Sequence, residues 1–318
     1  MNRKKFLREA ASAAAALVLA NMEIYAKTPD RTPGSATAAW PVTTAAAGYE
    51  LLILATDWGM KGDFAAFCAK VKAAGYNGIE MWWPTDRQKQ EQSADVLQKE
   101  GLQVGFLCGA HQADPQAHLA AFREQIDAAT SHPRLKPVYI NCHSGRDFFP
   151  EAVNSAIIDH TIRRTKATGI PVYHETHRSR MLFAAHVARQ FMEKHPDLRL
   201  TLDISHWCNV HESLLGDQPE AVQLALQRAD HIHARIGHPE GPQVNDPRAP
   251  EWKEIVEQHL KWWDAIVARK KQAGERVTIL TEFGPPDYMP TEPYSRKPLA
   301  DQWAINLYMM NLLRKRYS

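Results

Sequence analysis

The stretch PVYHETHRSRMLFAAHVARQFMEKHPDLRLTLDISH (171–206) reads as a strand, a helix and a second strand. PVYHE (171–175) and LRLTLD (198–203) are short apolar runs of buried-strand length, and a helical stretch over roughly 181–195 separates them. Each run closes on a carboxylate, Glu175 in the first and Asp203 in the second. Two later runs follow the same design: DHIH (230–233) closes on His233, and VTILTE (277–282) closes on Glu282. In a barrel of parallel strands, all C-terminal strand ends open onto one mouth, where active sites of that architecture sit. Three carboxylates and an imidazole would converge there.

Working outward, the same alternation begins at Tyr49. The earlier strand candidates are YELLILAT (49–56), NGIEMWW (77–83), LQVGFLC (102–108) and PVYINCH (137–143), which brings the count to eight. In DFAAFCAKVKAAG (63–75), Phe64, Phe67, Cys68, Val71 and Ala74 fall at helical spacing, and Gly75 supplies a stop. Further helices are expected over roughly 115–131, 151–169, 217–229, 251–274 and 298–316. An open doubly wound sheet would need a dinucleotide or phosphate loop at its switch point, and neither GxGxxG nor GxxxxGK[ST] occurs. The expected fold class is therefore α/β, a single (β/α)8 TIM barrel over residues 48–318. The Pro- and Gly-rich insertion GHPEGPQVNDPRAPEW (237–252) should lie over the mouth.

The chain has 318 residues and a formal charge of +2. Its basic residues are scattered, which argues against dedicated binding to nucleic acid or an anionic membrane. Arg3, Lys4, Lys5 and Arg8 precede AASAAAALVLA (10–20), too short a run to span a bilayer. Residues 1–26 read as a signal peptide, either twin-arginine-like or of the general secretory kind, and 27–47 as a linker. The expected location is outside the cytoplasm, in the periplasm, with no stable membrane insertion. Cys68, Cys108, Cys142 and Cys208 lack metal-ligand spacing, although an oxidising compartment could pair Cys108 with Cys142.

Strand periodicity sharpens the site. Tyr173, Glu175 and His177 share a face, as do Thr201 and Asp203; His231, His233 and Arg235; Asn141 and His143; Leu280 and Glu282. Several carboxylates crowded into one mouth need a cation or strongly raised pKa values, and one divalent cation is the simpler solution. A mixed carboxylate and imidazole set suits Mn2+ first, then Mg2+ or Co2+; Zn2+ stays open. His231 is an alternative ligand to His233. In HSGRD (143–147), His143 could protonate a leaving oxygen or be satisfied by neighbouring carboxylates. Arg146, Arg178, Arg180 and Arg235 would bind a phosphate or carboxylate, or neutralise an acidic mouth. Trp58, Trp82 and Trp83 suit sugar stacking, with core filling an equal alternative for Trp83.

Over about residues 49–316 the chain resembles the xylose isomerase-like sugar isomerase and epimerase superfamily. The resemblance implies that Glu175, Asp203, His233 and Glu282 hold one metal, as the corresponding strand-end residues do in ketose 3-epimerases. Asp203-Ile204-Ser205-His206 is similar to the family's Asp-x-x-His element, implying that His206 contacts a substrate oxygen. His231-Ile232-His233 is similar to its HxH, whose second histidine is the usual ligand. GYNGIEMWW (75–83) resembles the second-strand signature and implies that Glu80 lies near the sugar. The family's further Glu, six residues after the fifth-strand Glu, is Met181 here, and ETHRSR offers His177, Arg178 and Arg180 instead. The segment after the seventh strand, HARIGHPEGPQ (233–243), also departs from the family. His206, His177, Glu80, Arg235 and Trp82 are the expected substrate contacts.

The function these readings imply is a metal-dependent isomerase or epimerase acting on a sugar or keto-sugar through an enediolate, with Glu175 and Glu282 as the acid/base pair. The alternative is a lyase that opens 3-keto-glycosides by elimination, with His143 assisting. A DNA-repair endonuclease of the same superfamily would need more zinc ligands and a basic groove. A sugar-binding protein without turnover is a further alternative. The expected partner is a small sugar or glycoside, not nucleic acid. A homo-oligomer stays open.

Overall fold

Eight parallel strands pair in sequence order and close, the eighth against the first, in a computed structural model that describes residues 48–318. The expected signal peptide and linker lie outside the described residues. The order is β1 (Glu50–Thr56), α1 (Phe64–Ala73), β2 (Gly78–Trp82), α2 (Arg87–Glu100), β3 (Gln103–Gly109), α3 (Pro115–Ser131), β4 (Tyr139–His143) and α4 (Glu151–Thr168). There follow β5 (Val172–Glu175), α5 (Ala185–Lys194), β6 (Leu200–Leu202), α6 (Ile204–Val210), α7 (Pro219–Arg228), β7 (Ala229–His233), α8 (Lys253–Ala273), β8 (Arg276–Thr281) and α9 (Gln302–Tyr317). The expected (β/α)8 barrel is the observed architecture. Among the described residues, no helix is long and apolar enough to cross a membrane.

Alternation along each strand builds two cores. Ile53, Ile79, Phe106, Ile140, Ile232 and Ile279 point outward into the large cluster shared with the helices. Leu52, Leu54, Tyr139 and Leu280 point inward and plug the floor of the barrel, with Val138 and Tyr173 packed against them. Gly105 makes room for this plug, because a Cβ there would sit 2.4 Å from Tyr139 Cζ. Polar side chains therefore begin only above a dry apolar floor.

Five helices start on aspartates whose side chains accept from backbone N–H groups: Asp63 from Ala66, Asp86 from Lys89, Asp114 from Ala117 and Asp301 from Ala304, at 2.8–2.9 Å, and Asp203 from Ser205 at 3.1 Å. Asp301 explains why the last helix begins at Gln302 and not at 298. The stretch 181–195 becomes helical only from Ala185; the chain before it is tied to the loop after β4 by the Met181 N–H to Ser144 C=O bond at 3.1 Å. Helix α2 was not among the expected stretches. Its sequence is polar nearly all round, with only Ser93, Ala94 and Leu97 buried. Cys108 and Cys142 are register partners on β3 and β4, and both are buried free thiols among the helix-facing core.

The insertion after β7 is pinned to the segment after β8. Gln243 donates to Gly284 C=O at 3.2 Å and accepts from Gly284 N–H at 2.7 Å.

Candidate metal centre

Above the apolar floor lies a polar layer. His231 Nδ1 meets Thr278 Oγ1 at 2.8 Å, and its ring packs on Tyr139 with centroids 4.0 Å apart. Glu80, on β2, is buried between His231 Nε2 and His233 Nε2, 3.5 Å from each. Burial works against the Glu80 carboxylate, but the His233 and His231 imidazoles outweigh it and hold it at about 2. Glu80 is thus placed beneath His233, away from the open mouth. His231 belongs to this lower layer as well, which leaves His233 as the imidazole that faces the carboxylates.

The next layer brings the four expected ligands together. One ligand atom from each of Glu175, Asp203, His233 and Glu282 lies within 4.8 Å of the other three. Glu175 and His233 are the last residues of β5 and β7, while Asp203 and Glu282 follow β6 and β8 directly. Asn141 Nδ2 donates to Glu175 Oε2 at 2.7 Å and lies 3.2 Å from His233 Nε2. Glu175 Oε1, His233 Nδ1 and Glu282 Oε2 are buried with no hydrogen-bond partner. His233 Nδ1 is 2.8 Å from Glu282 Oε2 and 3.7 Å from Glu175 Oε1. Three partnerless donor atoms of this kind, enclosed and facing one another, fit a divalent cation with oxygen and nitrogen ligands.

The electrostatics agree. Burial opposes charge on His233, but Glu282, Glu175 and Glu80 overcome it and raise the imidazole well above its ordinary value. Burial also opposes the Glu175 carboxylate, and His143 and His233 hold it well below the carboxylate range. The site draws positive charge to its centre. Asp203 differs: burial raises its carboxyl to about 7 against the pull of Arg235, with Glu282 and Glu175 adding to the rise.

Arg235, only 1% exposed, donates from Nη2 to Asp203 Oδ2, and its Nη1 is 3.5 Å from Glu282 Oε2. Asp203 Oδ1 also accepts from Ser205 N–H at 3.1 Å and from the Ser205 hydroxyl, so Asp203 doubles as the cap of α6. Arg235 Nη2 reaches His206 Nε2 at 2.7 Å. A guanidinium only donates, so His206 carries its proton on Nδ1, which is buried and partnerless. His177 Nδ1–H donates to Arg178 C=O at 2.5 Å, and its ring lies between those of His206 (3.9 Å) and His143 (4.6 Å). His143 Nε2 is 3.1 Å from Glu175 Oε2, beside the exposed Trp82 ring, with centroids 5.4 Å apart.

Eight of the expected residues thus meet: Glu175, Asp203, His233, Glu282, Arg235, His206, His177 and His143. Trp82 stands at the rim, and Glu80 lies deeper. Trp83 is core, edge-on to Phe106 at 4.9 Å. Sequence reading missed Tyr288, whose ring faces Arg235 at 4.8 Å, Arg178 at 4.9 Å and Trp58 at 4.8 Å. It sits in an irregular Pro-rich segment after β8, where no periodicity announces which side chain turns inward. It also did not assign Asn141, although the shared face with His143 pointed to it.

No family model matches the chain, and no curated protein matches it by sequence. Solved structures do. The chain is similar to the D-allulose 3-epimerase from Methylomonas sp. in complex with D-allulose, at 19% identity and a TM-score of 0.56, covering 84% of this chain and 98% of that one. It is also similar to the 3-keto-D-glucoside 4-epimerase from E. coli, at 12% identity and a TM-score of 0.54, covering 84% of this chain and 100% of that one. A xylose isomerase-like TIM-barrel protein from Mycobacterium smegmatis, in complex with magnesium, matches at 13% identity and a TM-score of 0.54, with 84% and 98% covered. What these structures share with the chain is the (β/α)8 barrel. At these identities the likeness extends to the fold alone.

Proposed function

We propose that this chain is a divalent-metal-dependent sugar isomerase or epimerase that moves a proton beside a carbonyl through an enediolate. The observation that carries the reading is the set of three buried, partnerless atoms, Glu175 Oε1, His233 Nδ1 and Glu282 Oε2. Glu175, Asp203, His233 and Glu282 would hold the cation, with Mn2+ the first choice for this donor set. When bound, the cation supplies a Lewis acid that favours negative charge on two vicinal substrate oxygens.

The chain's own residues do the rest. Glu175 and Glu282 rise from non-adjacent strands, β5 and β8, so they approach a bound carbon from different directions. One takes the proton as the C–H bond breaks and its electrons enter the enediolate. The other returns a proton to carbon, and the face it uses sets the stereochemistry. His206 offers its Nδ1–H to a substrate oxygen. Arg235 pairs with Asp203, opposes the rise that burial imposes on its carboxyl, and fixes it in place at the cation site. Trp82 gives the sugar ring an apolar face at the rim. The D-allulose 3-epimerase and the 3-keto-D-glucoside 4-epimerase of the same fold support a sugar or keto-sugar as the substrate class.

A second reading, elimination from a 3-keto-glycoside, is favoured by one observation: His143 has its Nδ1 enclosed without a partner while its Nε2 lies 3.1 Å from Glu175, one of the acid/base pair. There the carbanion expels the glycosidic oxygen as the C–O bond breaks, and His143 supplies its proton.

The test is to incubate the Mn2+-loaded protein in D2O with D-allulose, D-fructose and a 3-keto-glucoside. Deuterium at the epimerised carbon supports the first reading, and free aglycone supports the second. Neither product, with unlabelled substrate recovered from all three, counts against both.

A further inference from the structure

Three arginines at the mouth have no acid to pair with. Elsewhere Arg134, Arg199 and Arg316 each have a carboxylate oxygen at 2.6 Å, and Arg228 and Arg314, without an acid, donate to backbone carbonyls. Arg123 is also half-buried with an enclosed, partnerless nitrogen. Arg235, in the floor of the mouth, is committed to Asp203 and Glu282. Among the described residues, Arg146, Arg178 and Arg180 form no ion pair, although each is half-buried. Arg178 has only Asn209 Oδ1, at 3.3 Å, and the face of Tyr288. Arg146 has only the face of Phe148, at 5.6 Å. Arg180 has no acceptor at all, and its Nε and Nη1 are enclosed.

The three belong to one sector of the rim. Arg146 lies in the loop after β4, and Arg178 and Arg180 lie in the loop after β5. The two loops are stitched together by the Met181 N–H to Ser144 C=O bond at 3.1 Å. Burial and the adjacent Arg146 pull the Arg180 guanidinium below its ordinary value, against Glu175 and Asp147. Burial, with both arginines adding to it, also pulls the His118 imidazole below its ordinary value. Asp147 is the one acid in these loops; it is exposed and makes no ion pair. Half-buried cations of like sign, left unpaired side by side, are costly unless an anion completes them. A planar guanidinium fork matches an oxyanion with two parallel hydrogen bonds.

We propose that Arg146, Arg178 and Arg180 bind an anionic group of the substrate, so that the enzyme acts on acidic sugars bearing a carboxylate or phosphate. This inference rests on the sugar reading of the site and narrows it. The neutral part of the substrate lies over Glu175 and Glu282, and its acidic end is drawn towards the β4–β5 side of the mouth. Arg235 takes no part in this recognition, because its charge is already spent.

The experiment is calorimetric titration of the full chain, Mn2+-loaded and metal-free, with D-glucuronate, D-glucose 6-phosphate and D-glucose. At least one acidic probe should bind about ten-fold or more tightly than glucose, the range of charge-assisted hydrogen bonds, and should weaken as salt is added. Which acidic probe wins identifies carboxylate or phosphate. Arg146→Gln and Arg180→Gln should each bring that probe close to glucose while Mn2+ stoichiometry stays at the wild-type value. Equal affinity for all three probes, or an acid preference that survives both substitutions, overturns the inference. A protein that takes up no Mn2+ overturns the proposed function instead, and the charge preference is still read on the metal-free form.

Discussion

His233 Nδ1 and Glu282 Oε2 lie 2.8 Å apart inside the barrel, both enclosed. Glu175 Oε1 lies 3.7 Å from the same nitrogen, and a ligand atom of Asp203 falls within 4.8 Å of the set. Glu282→Gln removes one of the charges that converge there and one member of the acid/base pair. Turnover of the metal-saturated variant should fall by about 10²–10⁴-fold, with the protein still folded. Retention of wild-type turnover would remove Glu282 from the chemistry.

His206 is expected to act through its Nδ1–H, held in that form because Arg235 donates to Nε2. His206→Gln keeps a donor near the same place, whereas His206→Ala deletes it. Steady-state kinetics should show a smaller loss for Gln than for Ala, in kcat more than in KM. Equal losses from the two substitutions would argue that His206 only fills space.

Acid stability turns on histidines outside the site. His174 is buried between Ser144 Oγ (2.6 Å from Nδ1) and Thr161 Oγ1 (2.7 Å from Nε2). Burial, helped by His195, lowers it to about 3, and burial lowers His259 to about 4. Both stay neutral in the folded chain while the unfolded chain takes up protons near pH 6.5. Their contribution is therefore present above pH 6.5 and is lost as pH falls towards 4 and then 3. Each pH unit in that window should cost about 1.4 kcal/mol per such histidine. Urea titrations from pH 7 to 4 should show a shallower slope in His174→Gln. An unchanged slope contradicts the assignment.

The floor of the barrel offers a test of packing. Gly105→Ala places a methyl group against the Tyr139 ring, which supports His231 from below. Overpacking of this kind costs about 1–3 kcal/mol, and chemical denaturation measures it directly. A neutral result would mean that the floor relaxes freely.

The four proposed ligands were legible because each closes a short apolar run, and strand parity then aligned His177, Arg235 and Asn141 with them. Periodicity could not order the layers by depth. Glu80 and His231 share inward faces with genuine mouth residues, yet they lie one step lower, a difference set by barrel stagger and not by sequence spacing. Arg235 likewise looked available to a substrate until the fold showed Asp203 beside it. Tyr288 and the start of α5 were hidden for another reason. Both depend on long-range contacts of irregular chain, one with Arg235 and the other through Ser144.

All of the proposed chemistry depends on one divalent cation held by Glu175, Asp203, His233 and Glu282. The most direct test is the metal content of the purified protein after dialysis against Mn2+, alongside Asp203→Asn and His233→Ala. One tightly held ion per barrel is expected in the wild type, with loss of that ion in both variants. A folded wild type that retains no metal, or variants that keep the full complement, would contradict it.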